Sequence, residues 1–140
     1  MAEQQVDPKE AEEIGRIATE YCRSVTKTEE EAQELLGKLA AIVQGDGARL
    51  VHLGNVLFLV MVRAKNTVEV HTMGEEKDAR EMAKTFGLLA KYLKAIGVQT
   101  AYTYAQDNKF KRLAKMVKLK VKEFKADVQG TPMNVFVVEL

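Results

Sequence analysis

The stretch from Thr67 to Gly97 leaves this chain few architectures to choose from. It begins as TVEVHTM, where Val68 and Val70 alternate with Glu69 and His71, the period-2 pattern of a half-buried strand. After Gly74 the apolar positions change step: Met82, Phe86, Leu89, Leu93 and Ile96 recur at helical spacing. Gly97 follows the stripe and suits the left-handed position that ends a helix, with Val98 packing back behind it. A second strand, TAYTYA, starts at Thr100. Strand, helix, strand favours a right-handed crossover and a sheet with at least one parallel pair. A ligand site in such a unit belongs where the first strand feeds the helix N-terminus.

The remaining elements flank this unit. Asp7 predicts an N-cap with Pro8 at the first helical position and Glu10 closing a capping box. The helix behind it carries Ile14, Ile17, Ala18, Tyr21, Cys22 and Val25 on one side, so Cys22 reads as a buried structural thiol. Thr28 and Glu31 make a second capping box, opening a helix with Leu35, Leu36, Leu39, Ile42 and Val43 that stops before Gly45. Two strands follow, 49–53 and 56–63, around a Gly54-Asn55 turn. VLFLVMV is apolar throughout, which predicts a central strand covered on both faces. Beyond TAYTYA, Gln106-Asp107-Asn108 reads as a turn and cap. A short helix with Phe110, Leu113, Ala114 and Val117 comes next, then a strand with Leu119, Val121 and Phe124 facing the core. A Gln129–Pro132 turn leads to a last strand, MNVFVVEL.

The expectation is a single α/β domain of the α+β kind over 1–140, with a mixed, mostly antiparallel sheet. Residues 1–44 form a helical part and 48–140 a sheet core with two helices, in the order α-α-β-β-β-α-β-α-β-β. A chain of 140 residues is long enough to bury such a core. The acidic start MAEQQVDPKEAEE has no apolar signal-peptide segment, and no apolar run is long enough for a membrane span. One cysteine excludes an internal disulfide and fits a reducing compartment. These features predict a cytoplasmic, non-secreted protein without membrane association. His52 has no identifiable partner, and no ligand spacing for a metal is present.

The net charge of +1 hides a polarity. Residues 1–36 carry ten acidic side chains against four basic ones. From Lys109 to Lys125 the basic residues are Lys109, Lys111, Arg112, Lys115, Lys118, Lys120, Lys122 and Lys125, with Glu123 alone against them. Such a face can meet an acidic partner, another copy of the chain, or nucleic acid.

The order of elements resembles the GCN5-related N-acetyltransferase (GNAT) fold over essentially the whole chain. The clearest local resemblance is DNKFKRLAKMVKL, 107–119, to the family's short helix and following strand, N-x-x-A-x-x-L-Y-e-k-l-G-F. Phe110 falls at the small apolar position, Leu113 at the leucine and Leu119 at the phenylalanine.

The departures carry as much meaning. Family members that use acetyl-CoA have Q/R-x-x-G-x-G/A before the long helix, where glycines let backbone N–H groups and the helix dipole hold a pyrophosphate. Here that stretch is HTMGEEKDARE, with Gly74 alone and Glu75 and Glu76 where an anion would dock. Ala114 stands at the family's tyrosine, a common proton donor to the departing thiolate. Lys118 replaces the glycine and Asp107 the asparagine.

The resemblance to a degenerate member, similar in size to small acetyltransferase-like bacteriophage proteins, implies a structural or interaction component of a virion. Such a protein needs no cofactor and acts through Lys109, Lys111, Arg112, Lys115, Lys118, Lys120 and Lys122, in a virion or a host cytoplasm. If the chain is instead an acetyl-CoA-dependent N-acetyltransferase, Glu69, His71 and Tyr104 are its catalytic candidates, with Tyr102 and Tyr92 as further possible acids. Met73, Gly74, Lys77, Arg80 and Asn108 would then line the cofactor site. Nucleic-acid binding through 109–125 is the third expectation. Glu69 and His71 are otherwise expected to point to solvent.

Overall fold

A computed structural model describes residues 7–105 and 108–140, so the expected turn at Gln106 and Asp107 and the first six residues lie outside the described residues. The elements are α1 (Pro8–Val25), α2 (Glu29–Gln44), β1 (Ala48–Leu53), β2 (Val56–Ala64), β3 (Thr67–Met73), α3 (Ala79–Ala95), β4 (Thr100–Ala105), α4 (Lys109–Met116), β5 (Lys120–Val128) and β6 (Thr131–Glu139). Their order is the one expected from the sequence. The strands form one sheet, β1-β2-β3-β4-β6-β5. The β3–β4 pair is parallel and the other pairs are antiparallel.

The sheet separates two apolar layers. On one face Val56, Phe58, Val60, Val68 and Val70 pack under α3 through Met82, Phe86, Leu89 and Leu93. On the other, Leu57, Leu59 and Met73 pack under Ile17 of α1, with Leu39 and Val43 of α2 at the margin. Successive side chains of β2 therefore enter opposite cores, which is why its sequence shows no alternation. The strand is covered on both faces through Val60, yet it lies off-centre, and Val62 is 59% exposed. Cys22 is fully buried, and burial pushes its thiol above the ordinary value.

Local chemistry ends the elements. The α3 C-terminus is a Schellman motif: Val98 N–H donates to Leu93 O at 3.0 Å and Gly97 N–H to Lys94 O at 3.1 Å, with Gly97 at φ +95°. The expected capping boxes are only half formed. Asp7 accepts from Lys9 N–H, while Glu10 reaches 3.4 Å from His52 Nδ1 instead of closing the box. Thr28 accepts from Glu31 N–H, and the Glu31 carboxylate lies 3.5 Å from Lys27 N rather than bonding to Thr28. The final turn is tighter than expected. Gln129 (φ +52°) and Gly130 (φ +84°) alone link β5 to β6, the two-residue form that fits twisted strands.

Phe124 corrects the sequence reading. It is 55% exposed, not in the core. β5 begins only at Lys120, and Lys120, Lys122 and Phe124 share one face while Val121, Glu123 and Lys125 share the other. No helix of the described residues is long and apolar enough to cross a membrane.

Candidate functional site

β3 and β4 pair at only three positions, Thr67↔Thr100, Val68↔Ala101 and Glu69↔Tyr102. Beyond these β3 stays with β2 up to Met73, and β4 stays with β6 up to Ala105. The two strands thus splay apart toward their C-terminal ends, opening a cleft between α3 and α4. This is the position the strand–helix–strand unit implied.

Four polar side chains gather where the splay begins. Glu69 is buried, 8% exposed, contrary to the expectation that it faces solvent. Its Oε1 accepts from Arg63 Nε at 3.1 Å and from the Tyr102 hydroxyl at 3.2 Å, and its Oε2 meets His71 Nε2. Burial pushes the Glu69 carboxyl up, but hydrogen bonds from His71 and Arg63, with their charges, outweigh it and hold the group below the usual carboxylate range. Burial and the adjacent Glu69 charge push the Tyr102 hydroxyl up, so it remains a donor. With Nε2 bonded to Glu69, the other ring nitrogen of His71 is the one left to exchange a proton. His71 and Tyr104 both line a mouth of about 280 Å³ at the open end of the cleft. Tyr104 packs edge-to-face on Tyr102, 5.8 Å between ring centres. The three catalytic candidates are therefore brought together, with Arg63 and Tyr102 added. Tyr92 lies apart, its hydroxyl accepting from Arg49 at 2.6 Å.

The cofactor candidates are not brought together. Met73 is buried with Ile17, Leu57 and Leu59 beneath α1, away from the cleft. Gly74 is held at φ +83° against the β1–β2 hairpin, where a Cβ would lie 2.7 Å from Asn55 O. Its freedom serves that close approach. Glu76 accepts from Asn55 N–H at 2.7 Å, fastening the loop to the same hairpin. Asp78 caps α3 by accepting from Glu81 N–H at 3.0 Å. Glu75 pairs with Lys109 at 2.9 Å, joining the start of α3 to the start of α4 across the mouth. Lys77 and Arg80 are exposed and make no ion pair among the described residues. Asn108 stands at the N-cap of α4 without a side-chain cap bond.

A CoA pyrophosphate fits this setting poorly. A charge-assisted N–H bond contributes about 1.5–3 kcal/mol, and one carboxylate about 4 Å from a phosphate oxygen costs about 4 kcal/mol at an effective dielectric near 20. Glu75, Glu76 and Asp78 all border the 310 Å³ depression at the α3 N-terminus, against Lys77 and Lys109.

The depth of the cleft is narrowed as well, by a residue whose role the sequence reading missed. Phe110 lies between Phe86 and Phe136, with ring centres 5.1 and 5.5 Å apart. The space left between the splayed strands is apolar and about 40 Å³, room for about three waters. The signal was present in the large aromatic at the small apolar position of the short-helix pattern. Ala114 behind it is fully buried.

The basic run does not form one face. Lys109, Lys111 and Lys122 are paired with Glu75, Glu123 and Glu139. Lys120 and Lys122 lie on the opposite side of β5 from Lys125, while Arg112 and Lys115 belong to the exposed side of α4. His52, by contrast, has partners: Gly54 O at 2.8 Å and the carboxylates of Glu10 and Glu13.

A scan against protein-family models finds no match, and a search of curated proteins finds no similar sequence. Solved structures do match. The chain superposes on AAC(6')-Ib in complex with ribostamycin and coenzyme A with a TM-score of 0.64 at 10% identity, covering 91% of this chain and 88% of that one. For the microcin C7 self-immunity acetyltransferase MccE with acetyl-CoA and AMP the values are 0.58, 12%, 94% and 88%. For a GNAT-family acetyltransferase from Streptococcus pneumoniae they are 0.55, 12%, 98% and 98%. With the splayed strands and the order of elements, these likenesses show that the chain has the fold of the GNAT acetyltransferases.

Proposed function

We propose that the chain is a catalytically silent protein on an acetyltransferase-like fold, working by association with a protein partner or with itself. One observation carries this reading: the chain's own side chains narrow the path a CoA-type cofactor would take. Asp78 occupies an amide at the helix start, Glu75 and Lys109 bridge the mouth, and Phe110 fills the slot behind them. A role as a bacteriophage virion component is part of the proposal and rests on chain length and the altered loop alone.

The Glu69–His71 pair favours a second reading. A carboxylate-oriented imidazole opening on the cleft mouth is an acid–base arrangement, which suits an acetyl-CoA-dependent N-acetyltransferase. Calorimetric titration with acetyl-CoA separates the two. The silent reading expects no saturable heat up to about 1 mM ligand and no ligand-dependent rise in melting temperature. Saturable binding in the micromolar range overturns it in favour of the enzyme.

A further inference from the structure

Away from the narrowed cleft, a larger concavity of about 860 Å³ lies between the outer flank of α3 and the junction of α4 with β5. Its floor is apolar and includes Leu88, Met116 and Val117; Leu88 is 54% exposed and Met116 49%. Its rim is cationic. Lys84, Lys91 and Lys94 stand on the α3 side and Lys118 faces them from the other, while Lys120 borders the groove with its side chain on the opposite face of β5. Lys84, Lys91, Lys94 and Lys118 make no ion pair among the described residues. The one carboxylate side chain lining the groove, Glu139, is bonded to Lys122 at 2.9 Å. Large apolar side chains are thus left in water beside four lysines that make no ion pair among the described residues.

We propose that this groove docks an acidic amphipathic helix of a partner protein. Leu88 and Met116 take the partner's apolar stripe, and the lysine rim takes carboxylates on its flanks. From Lys84 to Lys94 the α3 wall runs about 15 Å, room for about three turns of a partner helix. The occupant follows from the pairing of charge with apolar floor. A nucleic-acid strand would satisfy the lysines but leave Leu88 and Met116 against a phosphate backbone, and no aromatic ring in the groove offers a stacking platform. A second copy fits less well. The acidic helices of this chain spend their apolar stripes on the sheet, through Ile17 of α1 and Leu39 and Val43 of α2.

The inference rests on the reading that the chain works by association, and it names the partner class. The test uses the full chain and a fluorescent peptide of about 18 residues, long enough to form helix, with Leu at i, i+3, i+4 and i+7 and Glu elsewhere. A shuffled peptide of the same composition and a single-stranded oligonucleotide are the controls, all read by anisotropy. The patterned peptide is expected to bind at least about tenfold more tightly than the shuffled one. Lys91→Glu with Lys94→Glu, and separately Leu88→Ser with Met116→Ser, each weaken it about tenfold or more while the melting temperature holds. Equal affinity for both peptides, indifference to the Leu88/Met116 pair, tighter binding of the oligonucleotide, or dimerisation lost in those variants overturns the proposal. The acetyl-CoA titration is independent of this groove, so failure of the silent reading and failure of the docking site register separately.

Discussion

Lys118 adopts φ +58°, a left-handed conformation that costs a side-chain-bearing residue about 1–2 kcal/mol. It stands where the resembling pattern has glycine. Lys118→Gly is expected to raise stability by roughly 1 kcal/mol in chemical denaturation, and a loss would show that its side chain has a structural role. Gly74 makes the opposite case. Gly74→Ala places a Cβ 2.7 Å from Asn55 O at φ +83°, and about 2–3 kcal/mol of stability should be lost with no ligand present. A Gly74→Ala protein of unchanged stability would mean that the loop does not rest on the hairpin. Glu69 contributes through ionisation. Its folded pKa is depressed, so its contribution is present above the unfolded value of about 4.3 and fades as pH falls through the lower folded value. Glu69→Gln should cost about 1–3 kcal/mol at neutral pH and flatten the acid limb of a urea-midpoint profile; an unchanged limb would count against the cluster.

Elements were legible in the sequence wherever the signal was local. The stripe of α3, its Gly97 stop and the unbroken apolar run of β2 each follow from residues a few positions apart, so element order and sheet type could be read directly. Features made by distant pairs could not. Glu69 looked like an outward-facing strand residue because strand alternation cannot show that Arg63, His71 and the Tyr102 hydroxyl, 33 positions away, would enclose it. The charge run from Lys109 to Lys125 looked like one face until strand alternation and the pairs with Glu75, Glu123 and Glu139 divided it. Phe124 was assigned to the core because the alternation through Leu119 and Val121 was extended one residue too far, past Glu123. Phe110 matters most at this scale, since it fills the gap the splayed strands leave. Phe110→Ala should cost about 2–4 kcal/mol if the slot stays empty, since Phe110 is only partly buried. A cost near 1 kcal/mol would mean that the strands close over it and that the splay is not rigid.

Across the whole molecule, an acetyltransferase-like frame carries three departures that act together. The strands still splay and an oriented histidine still faces the mouth, so the scaffold for a cleft persists. On the proposed silent reading, carboxylates, a Glu75–Lys109 bridge and Phe110 stand where a CoA would pass. The exposed apolar and cationic surface lies elsewhere, along α3 and the α4–β5 junction, which is where an associating protein would place its energy. Backbone amide spectra of the loop from Gly74 to Met82, recorded while acetyl-CoA is added, test this most directly. The account predicts that the Glu81 amide stays bonded to Asp78 and that no resonance in the loop moves saturably. Saturable shifts centred on Gly74 and the first turn of α3 would contradict it.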